Sequence, residues 1–569
     1  MDYKITRNVL MVAMACSATG LAMAQFRLAQ TEATTARFDA QHTGWIPVDR
    51  AIEADRMNEF SLQWKTKIEN APSNDSALSG GVVAGAGLGI KLAHIGASGN
   101  RTIAIDMDTG HVFSNRVYSG GGVAPGAKCL AASLATPTLE TPLTPAPAPP
   151  LSPDGQSATG PNTQLPYSSA IGEPGEGISP IKRGAMFAAP GSFYARADAT
   201  PYDGTAASES AGIEYAEHGS GSVPAGFGGE AAARGGAGGR AGAAPIFAAR
   251  AGGATYALSN DGVLHALTPR DELDGQQPMP FLPAGSQSSD LIMVNGTVYA
   301  ATMNGCGNRE NGLYSIKPAA TPAGGAFPKV NSWMTGTANP HTPSFTAHGA
   351  MFVTVGSGAG EFADSVVLLD PDTLEVKSKF TLAGANFVSS PTIMRIGDRD
   401  IIAAQAADGR IFLLDGASLS MPLYVSTPAA NSNGYRPAGL AAWRDSSGTF
   451  WLLSTNSASV VARKVNTSGS SISLSDGWFV GNLNAPLAPL VVNGVVFILS
   501  SGDAASGAKG TAQLYAVDGV TGKTLWTSGK TIAGYVPRTS ELWNSLGQIL
   551  FATSDNTIYA FGMNLERHL

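Results

Sequence analysis

The residues of this chain best suited to chemistry fall in five short polar segments, each leading into an apolar run. They are Asn339-Pro340-His341-Thr342-Pro343, Asn386-Phe387-Val388-Ser389-Ser390-Pro391, Asn433-Gly434-Tyr435-Arg436-Pro437, Asn482-Leu483-Asn484-Ala485-Pro486 and Tyr535-Val536-Pro537-Arg538. Gathered around one opening, His341, Asn386, Tyr435, Arg436, Asn484, Tyr535 and Arg538 would form a polar, locally cationic funnel for an anionic or carbonyl-rich small ligand or a peptide. The competing reading is structural, with Arg and Asn bonding to backbone groups and Tyr filling space. No Asp or Glu occurs in the five segments, so the hard oxygen ligands that calcium needs are not visible there, and no metal ligand is assigned. Other chemistries have less to stand on. The eight histidines never take metal-ligand spacing, and no Gly-x-Ser-x-Gly elbow or phosphate loop precedes a helix. Cys306 lies in a turn without a nearby His or helix start to activate a thiol. No catalytic residue follows from the sequence.

What positions the five segments is a repeat. In Leu514-Tyr515-Ala516-Val517-Asp518-Gly519-Val520-Thr521-Gly522-Lys523-Thr524-Leu525-Trp526, a strand runs into an Asp-x-x-Thr-Gly turn and returns to a tryptophan. Residues 103–113 repeat it, and 366–380 repeat it again with Leu374 in place of the glycine. Asn295-Gly296 and Asn493-Gly494, each between two apolar runs, mark a hairpin ahead of such a unit, because both turn positions need positive φ. A spacing of roughly 40 to 50 residues with four strands per unit predicts radially packed sheets, since a lone sheet cannot bury both faces. Eight units fall near 82–118, 254–281, 291–333, 344–380, 392–425, 440–480, 490–526 and 540–561. The expected fold is therefore all-β, an eight-bladed β-propeller of four-stranded antiparallel blades. The last unit holds three strands, and residues 62–68 supply the fourth, so that an N-terminal strand closes the ring and removes an edge.

Composition agrees with many short strands joined by tight turns: charged residues are 14% of the chain, with 69 glycines and 35 prolines. A formal charge of −7 argues against nucleic-acid binding. Residues 1–24 read as an export signal, with Lys4 and Arg7 ahead of an apolar run and Ala22-Met23-Ala24 as the cleavage site, predicting a periplasmic or secreted product. Lipid anchoring through Cys16 is the alternative. No other apolar stretch is long enough to span a bilayer. After cleavage Cys129 and Cys306 remain, a candidate disulfide or two separate buried thiols. Residues 25–57 form a lead-in, 58–124 the ring-closing strand and blade 1, and 253–563 blades 2 to 8, with a tail at 564–569. The intervening 125–252 is Pro-rich, then Gly/Ala-rich, and is expected to be a disordered insertion.

The repeat at 514–526, with the copies at 103–113 and 366–380, resembles the PQQ-type propeller repeats of the quinoprotein alcohol dehydrogenase-like superfamily. Phe38-Asp39-Ala40-Gln41-His42-Thr43-Gly44-Trp45 resembles the lead-in that precedes the first blade there. The resemblance implies a site for pyrroloquinoline quinone over calcium, with an aspartate base and, in the alcohol dehydrogenases, a disulfide between neighbouring cysteines. This chain has no adjacent cysteine pair, and none of the family's catalytic residues is carried over. The expectation is an exported, non-catalytic binding or scaffold module of the cell envelope, without a cofactor, whose protein or small-molecule ligand docks at the channel mouth. The alternative is a PQQ-dependent oxidoreductase with calcium in a divergent site.

Overall fold

Asn295 and Gly296 take φ of 50° and 72°, and Asn493 and Gly494 take 48° and 78°, the left-handed pair that a two-residue hairpin needs. They join Leu291–Val294 to Thr297–Ala301 and Leu490–Val492 to Val495–Ser500. The computed structural model describes residues 33–47, 49, 51–69, 78–87, 90–119, 129–143, 254–268, 274–318, 326–429, 436–503, 507, 509–545 and 547–563. In it the hairpin and its two following strands recur as eight sheets, making an eight-bladed β-propeller. The innermost strands are Leu78–Gly87 in blade 1, Leu291–Val294 in blade 3, Ser344–Phe345 in blade 4, Thr392–Ile396 in blade 5, Ala441–Arg444 in blade 6, Leu490–Val492 in blade 7 and Trp543–Ser545 in blade 8. Ser61–Lys67 pairs antiparallel with Thr557–Gly562, placing Leu62 opposite Phe561 and Lys65 opposite Tyr559. The N-terminal strand is thus the fourth strand of blade 8 and seals the ring.

The repeated turn is also the joint between blades. Asp518 Oδ1 accepts from the N–H groups of Val520 (3.1 Å) and Thr521 (2.7 Å) and from the Thr521 hydroxyl, which lets Gly522 turn at φ 71°. A Cβ on Gly522 would sit 2.8 Å from Trp478 of blade 6, whose indole Nε1 donates to Gly519 O at 2.8 Å. The same contact joins blade 8 to blade 1: Trp64 donates to Met107 O at 3.0 Å and lies where a Cβ on Gly110 would be. Between blades 3 and 4 the glycine is replaced by Leu374, held at φ 62° and buried, and there Trp333 Nε1 has no hydrogen-bond partner among the described residues.

One boundary differs from the sequence reading. Residues 129–143, expected to belong to the disordered insertion, are part of the ring. Thr138 bridges Tyr256 antiparallel, while Thr136 and Glu140 bridge Asp290 and Met293 in parallel. These residues stand in for the innermost strand of blade 2, whose other strands are Thr255–Leu258, Val263–Leu267 and Met279–Pro280. A disulfide joins Cys129 to Cys306 across a sequence separation of 177. Pairing to the ring overrides the Pro-rich composition because it supplies both backbone partners and a covalent tie. The rest of the expected insertion, 144–252, lies outside the described residues, as do the signal with Cys16 and the 564–569 tail.

The lead-in runs along the axis. Its carbonyls accept N–H groups facing the axis in several blades: Ala33 from Val83 (3.0 Å), Thr34 from Leu139 (2.8 Å), Ala40 from Phe345 (2.7 Å), Gln41 from Ile393 (3.0 Å), Thr43 from Ala442 (2.9 Å) and Gly44 from Val491 (2.8 Å). Trp45–Ile46 then pairs in parallel with Leu490–Val492, making blade 7 five-stranded.

Trp64→Ala should lower the unfolding free energy by about 3–5 kcal/mol, as for a large buried aromatic, because it opens the joint at the ring closure. Urea denaturation followed by tryptophan fluorescence measures it; a loss under about 1 kcal/mol would mean that this strand does not seal the ring.

Candidate functional site

The axial thread places charge where an isolated sheet would not tolerate it. Arg37 Nη2 donates to Leu440 O at 2.6 Å and Nη1 to Pro489 O at 3.1 Å, fixing the guanidinium between blades 6 and 7. Its backbone N–H donates to the carboxyl of Glu541, just ahead of the inner strand of blade 8. Asp290, just ahead of the inner strand of blade 3, lies among the hydroxyls of Thr136, Ser289 and Thr342, the last donating to it at 3.5 Å. Burial, and after it the Asp290 carboxylate, push Glu541 up to about 8 against the pull of Arg37. Burial likewise raises Asp290.

Two connected cavities open on this pair. The inner one, about 170 Å³, is floored by Ala36, Arg37 and His42 of the lead-in. The outer one, about 460 Å³, is walled by apolar Leu78, Leu130, Leu134, Pro437 and Leu487 and carries Arg436. Asp290, His341, Arg538 and Glu541 line both. His341 Nε2 donates to Phe387 O at 3.1 Å; burial, helped by Arg436, lowers the ring to about 4, so it is neutral. His42 is lowered to about 3 by burial and then by Arg37.

Of the residues expected at a channel mouth, the structure gathers His341, Arg436 and Arg538. Three others sit elsewhere. Asn386 is a turn residue at φ 45° whose Oδ1 accepts the Ser357 N–H at 3.0 Å. Asn484 bonds through its backbone to Ser500, and Tyr535 lies under Lys509 Nζ at 4.7 Å. Tyr435 is outside the described residues. Carboxylates were absent from the five segments, yet Asp290 and Glu541 stand at the axis. Both belong to the same class of loop: Asp290 directly precedes the apolar run of blade 3, and Glu541 lies three residues past Arg538. Arg37 and His42 had no signal of their own, because only the threading of the lead-in brings them here.

The donor set does not suit calcium under a quinone. Two carboxyls, Asp290 and Glu541, lie close together with the Arg37 guanidinium beside them, fewer carboxylate oxygens than a calcium ion's six to eight oxygen ligands usually draw on. Of the amide oxygens lining the outer cavity, Asn339 Oδ1 accepts from Asn304 N–H (2.8 Å) and Asn311 Nδ2 (2.9 Å), and Gln287 Oε1 from Leu130 N–H (3.2 Å) and Asn304 Nδ2 (3.1 Å), whereas Asn544 Oδ1, beside Glu541 on the other side, has no partner among the described residues. Among the described residues no group of three or more His, Cys, Asp and Glu could hold a metal ion. The disulfide joins Cys129 and Cys306, not neighbours in the chain.

A second constellation imitates a hydrolytic triad. In blade 2, His265 Nε2 lies 3.1 Å from Ser259 Oγ and Nδ1 3.1 Å from Asp274, which pairs with Arg116 at 2.6 Å. Ser259 is 1% exposed and its hydroxyl is donated to Asp261, so it can neither meet a substrate nor pass its proton to His265.

No family model matches the chain, and no curated protein matches it in sequence. Its fold does have solved counterparts. The quinohemoprotein alcohol dehydrogenase ADHIIG from Pseudomonas putida HK5 superposes with a TM-score of 0.51 at 9% identity, over 94% of this chain and 80% of that one. A europium-containing methanol dehydrogenase gives a TM-score of 0.48 at 10% identity, over 93% and 89% of the two chains.

Glu541 keeps its proton in the fold to about 8, against a reference value of 4.5. The unfolded chain releases that proton first, so this group makes stability fall as pH rises between those values. Glu541→Gln should flatten that part of the stability profile and gain most over the parent near pH 8.5. Thermal melts across pH 5 to 9 test it; parallel profiles for parent and variant would refute a protonated Glu541. With the blades and the sealed ring in view, the chain is in fold an eight-bladed β-propeller of four-stranded antiparallel sheets, a fold it shares with that quinohemoprotein alcohol dehydrogenase.

Proposed function

We propose that this chain is an exported, non-catalytic binding module that takes a ligand in its axial cavity from the side opposite the lead-in. The observation that carries the reading is the make-up of the outer cavity, an apolar wall facing two arginines. Arg538 is only 4.0 Å from Asp503, and Arg436 is exposed with no ion-pair partner among the described residues. A ligand with an apolar body and an anionic or carbonyl group suits such a wall, since a charge-assisted hydrogen bond at its edge adds orientation to burial.

A second reading, a PQQ-dependent oxidoreductase, is favoured by the likeness in fold to a quinohemoprotein alcohol dehydrogenase. Fold alone does not carry chemistry, and the two carboxyls beside Arg37 are a poor calcium seat. The binding reading therefore ranks first. Export rests on the pattern of residues 1–24, with cleavage after Ala24.

The anionic apolar dye 1-anilinonaphthalene-8-sulfonate should bind the native protein, and Arg436→Ala with Arg538→Ala should weaken it by about tenfold or more. A fluorescence titration reads this, and affinity unchanged in the double variant would remove the cavity as its site. Incubation with pyrroloquinoline quinone and calcium should leave no stoichiometric quinone on the protein and no dye-linked alcohol oxidation. Tight uptake would reverse the ranking.

A further inference from the structure

The inner cavity holds polar atoms that no described residue matches. His42 is 2% exposed and lines the floor, and its Nε2 has no hydrogen-bond partner among the described residues. Ser389 Oγ and Ser540 Oγ, on the walls of the same cavity, are buried without partners too. Buried polar groups are rarely orphaned, and those facing one chamber call for a common occupant.

The kind of atom missing can be derived. Ser344 Oγ stands between His42 Nδ1, at 2.8 Å, and the carbonyl of Pro391. A carbonyl only accepts, so the serine proton goes to Pro391, and His42 Nδ1 must carry the hydrogen given to Ser344. His42 Nε2 is then a bare lone pair, and burial, with the neighbouring Arg37, keeps it unprotonated. His341 is similar: Nε2–H is spent on Phe387 O, which leaves Nδ1 as an acceptor. Two imidazole lone pairs therefore ask for N–H or O–H donors, while the Ser389 and Ser540 hydroxyls and the Glu541 carboxyl can give as well as accept.

Charge narrows the choice. An anionic group offers only acceptors and would meet the two imidazole lone pairs. A cationic one would be drawn by Asp290 but would face both Arg538 and Arg37, the latter fixed by two backbone carbonyls and unable to swing away. An uncharged group with two donors and one acceptor matches, and among organic head groups the primary carboxamide is the smallest common one. We infer that the inner chamber, formed by His42, His341, Ser389, Ser540 and Glu541, is a binding site for the uncharged primary-amide end of a ligand whose apolar part occupies the outer cavity.

This inference rests on the cavity being a ligand site, and the test separates the two. Benzamide, benzoate and benzylammonium share one ring and differ in the head group. Measured by isothermal titration on the full-length mature protein, benzamide should bind at least tenfold tighter than either charged analogue. His42→Phe should abolish that preference. Because His42 also holds Ser344, Ser540→Ala serves as the second variant and should weaken benzamide about fivefold while leaving the melting temperature unchanged. Equal affinity for the three heads, no detectable benzamide binding, or a soaked crystal with water only in the chamber would each overturn the amide assignment. If anilinonaphthalene sulfonate still binds through Arg436 and Arg538 in that event, the cavity reading survives and only the amide is lost. If neither probe binds, both fall.

Discussion

Every innermost strand of a propeller turns an edge toward the axis, and the N–H groups on that edge need acceptors in a place that water reaches poorly. In this chain the backbone of residues 33–46 supplies them, blade after blade. That single requirement shapes the rest. It fixes the path of the lead-in, closes one end of the channel and makes blade 7 five-stranded. It also sets Arg37 and His42 into a space whose other walls come from loops up to several hundred residues away in sequence.

The charge pattern follows from that placement. Arg37 gives its guanidinium to two carbonyls and its backbone N–H to Glu541, so its positive charge is fixed in position. A fixed cation at low dielectric lowers a neighbouring imidazole and favours a carboxylate. Here desolvation outweighs the attraction at Glu541, and the result is a protonated carboxyl beside a guanidinium, with two neutral histidines close by. An interior of this kind is polar without being strongly charged. It can orient a ligand by hydrogen-bond direction, which a pair of opposite charges would do less selectively.

The ring was largely legible in the sequence, because turn chemistry is local. Asn295-Gly296, Asn493-Gly494 and the Asp518 turn each specify backbone angles by themselves, and the pairing of Ser61–Lys67 with the last strand follows from an incomplete final blade. The site was half legible. His341, Arg436 and Arg538 lie in loops that the repeat predicts to face the axis, whereas Asn386, Asn484 and Tyr535 lie in the same class of loop but turn to neighbouring backbone and side chains. A repeat fixes where a loop is, not where each side chain points. Residues 129–143 failed for the opposite reason: composition spoke for disorder, and pairing with Tyr256, Asp290 and Met293 won.

The joints between blades show why this fold says so little about activity. Trp64 and Trp478 each cover a glycine of the next blade and bond to a carbonyl in its turn. Between blades 3 and 4 the glycine has become Leu374; the leucine fills the space, and the indole of Trp333 loses its partner. The sheet order of blade 4 is unchanged by the loss. With eight joints sharing the stability of a closed ring, one can degrade without opening it. Loops at the axis carry no such constraint, because each contributes one or two side chains to a cavity and none to the joints. The blades therefore set the shape, while the chemistry at the centre is set by the axial loops, and only their residues can be asked what the protein binds.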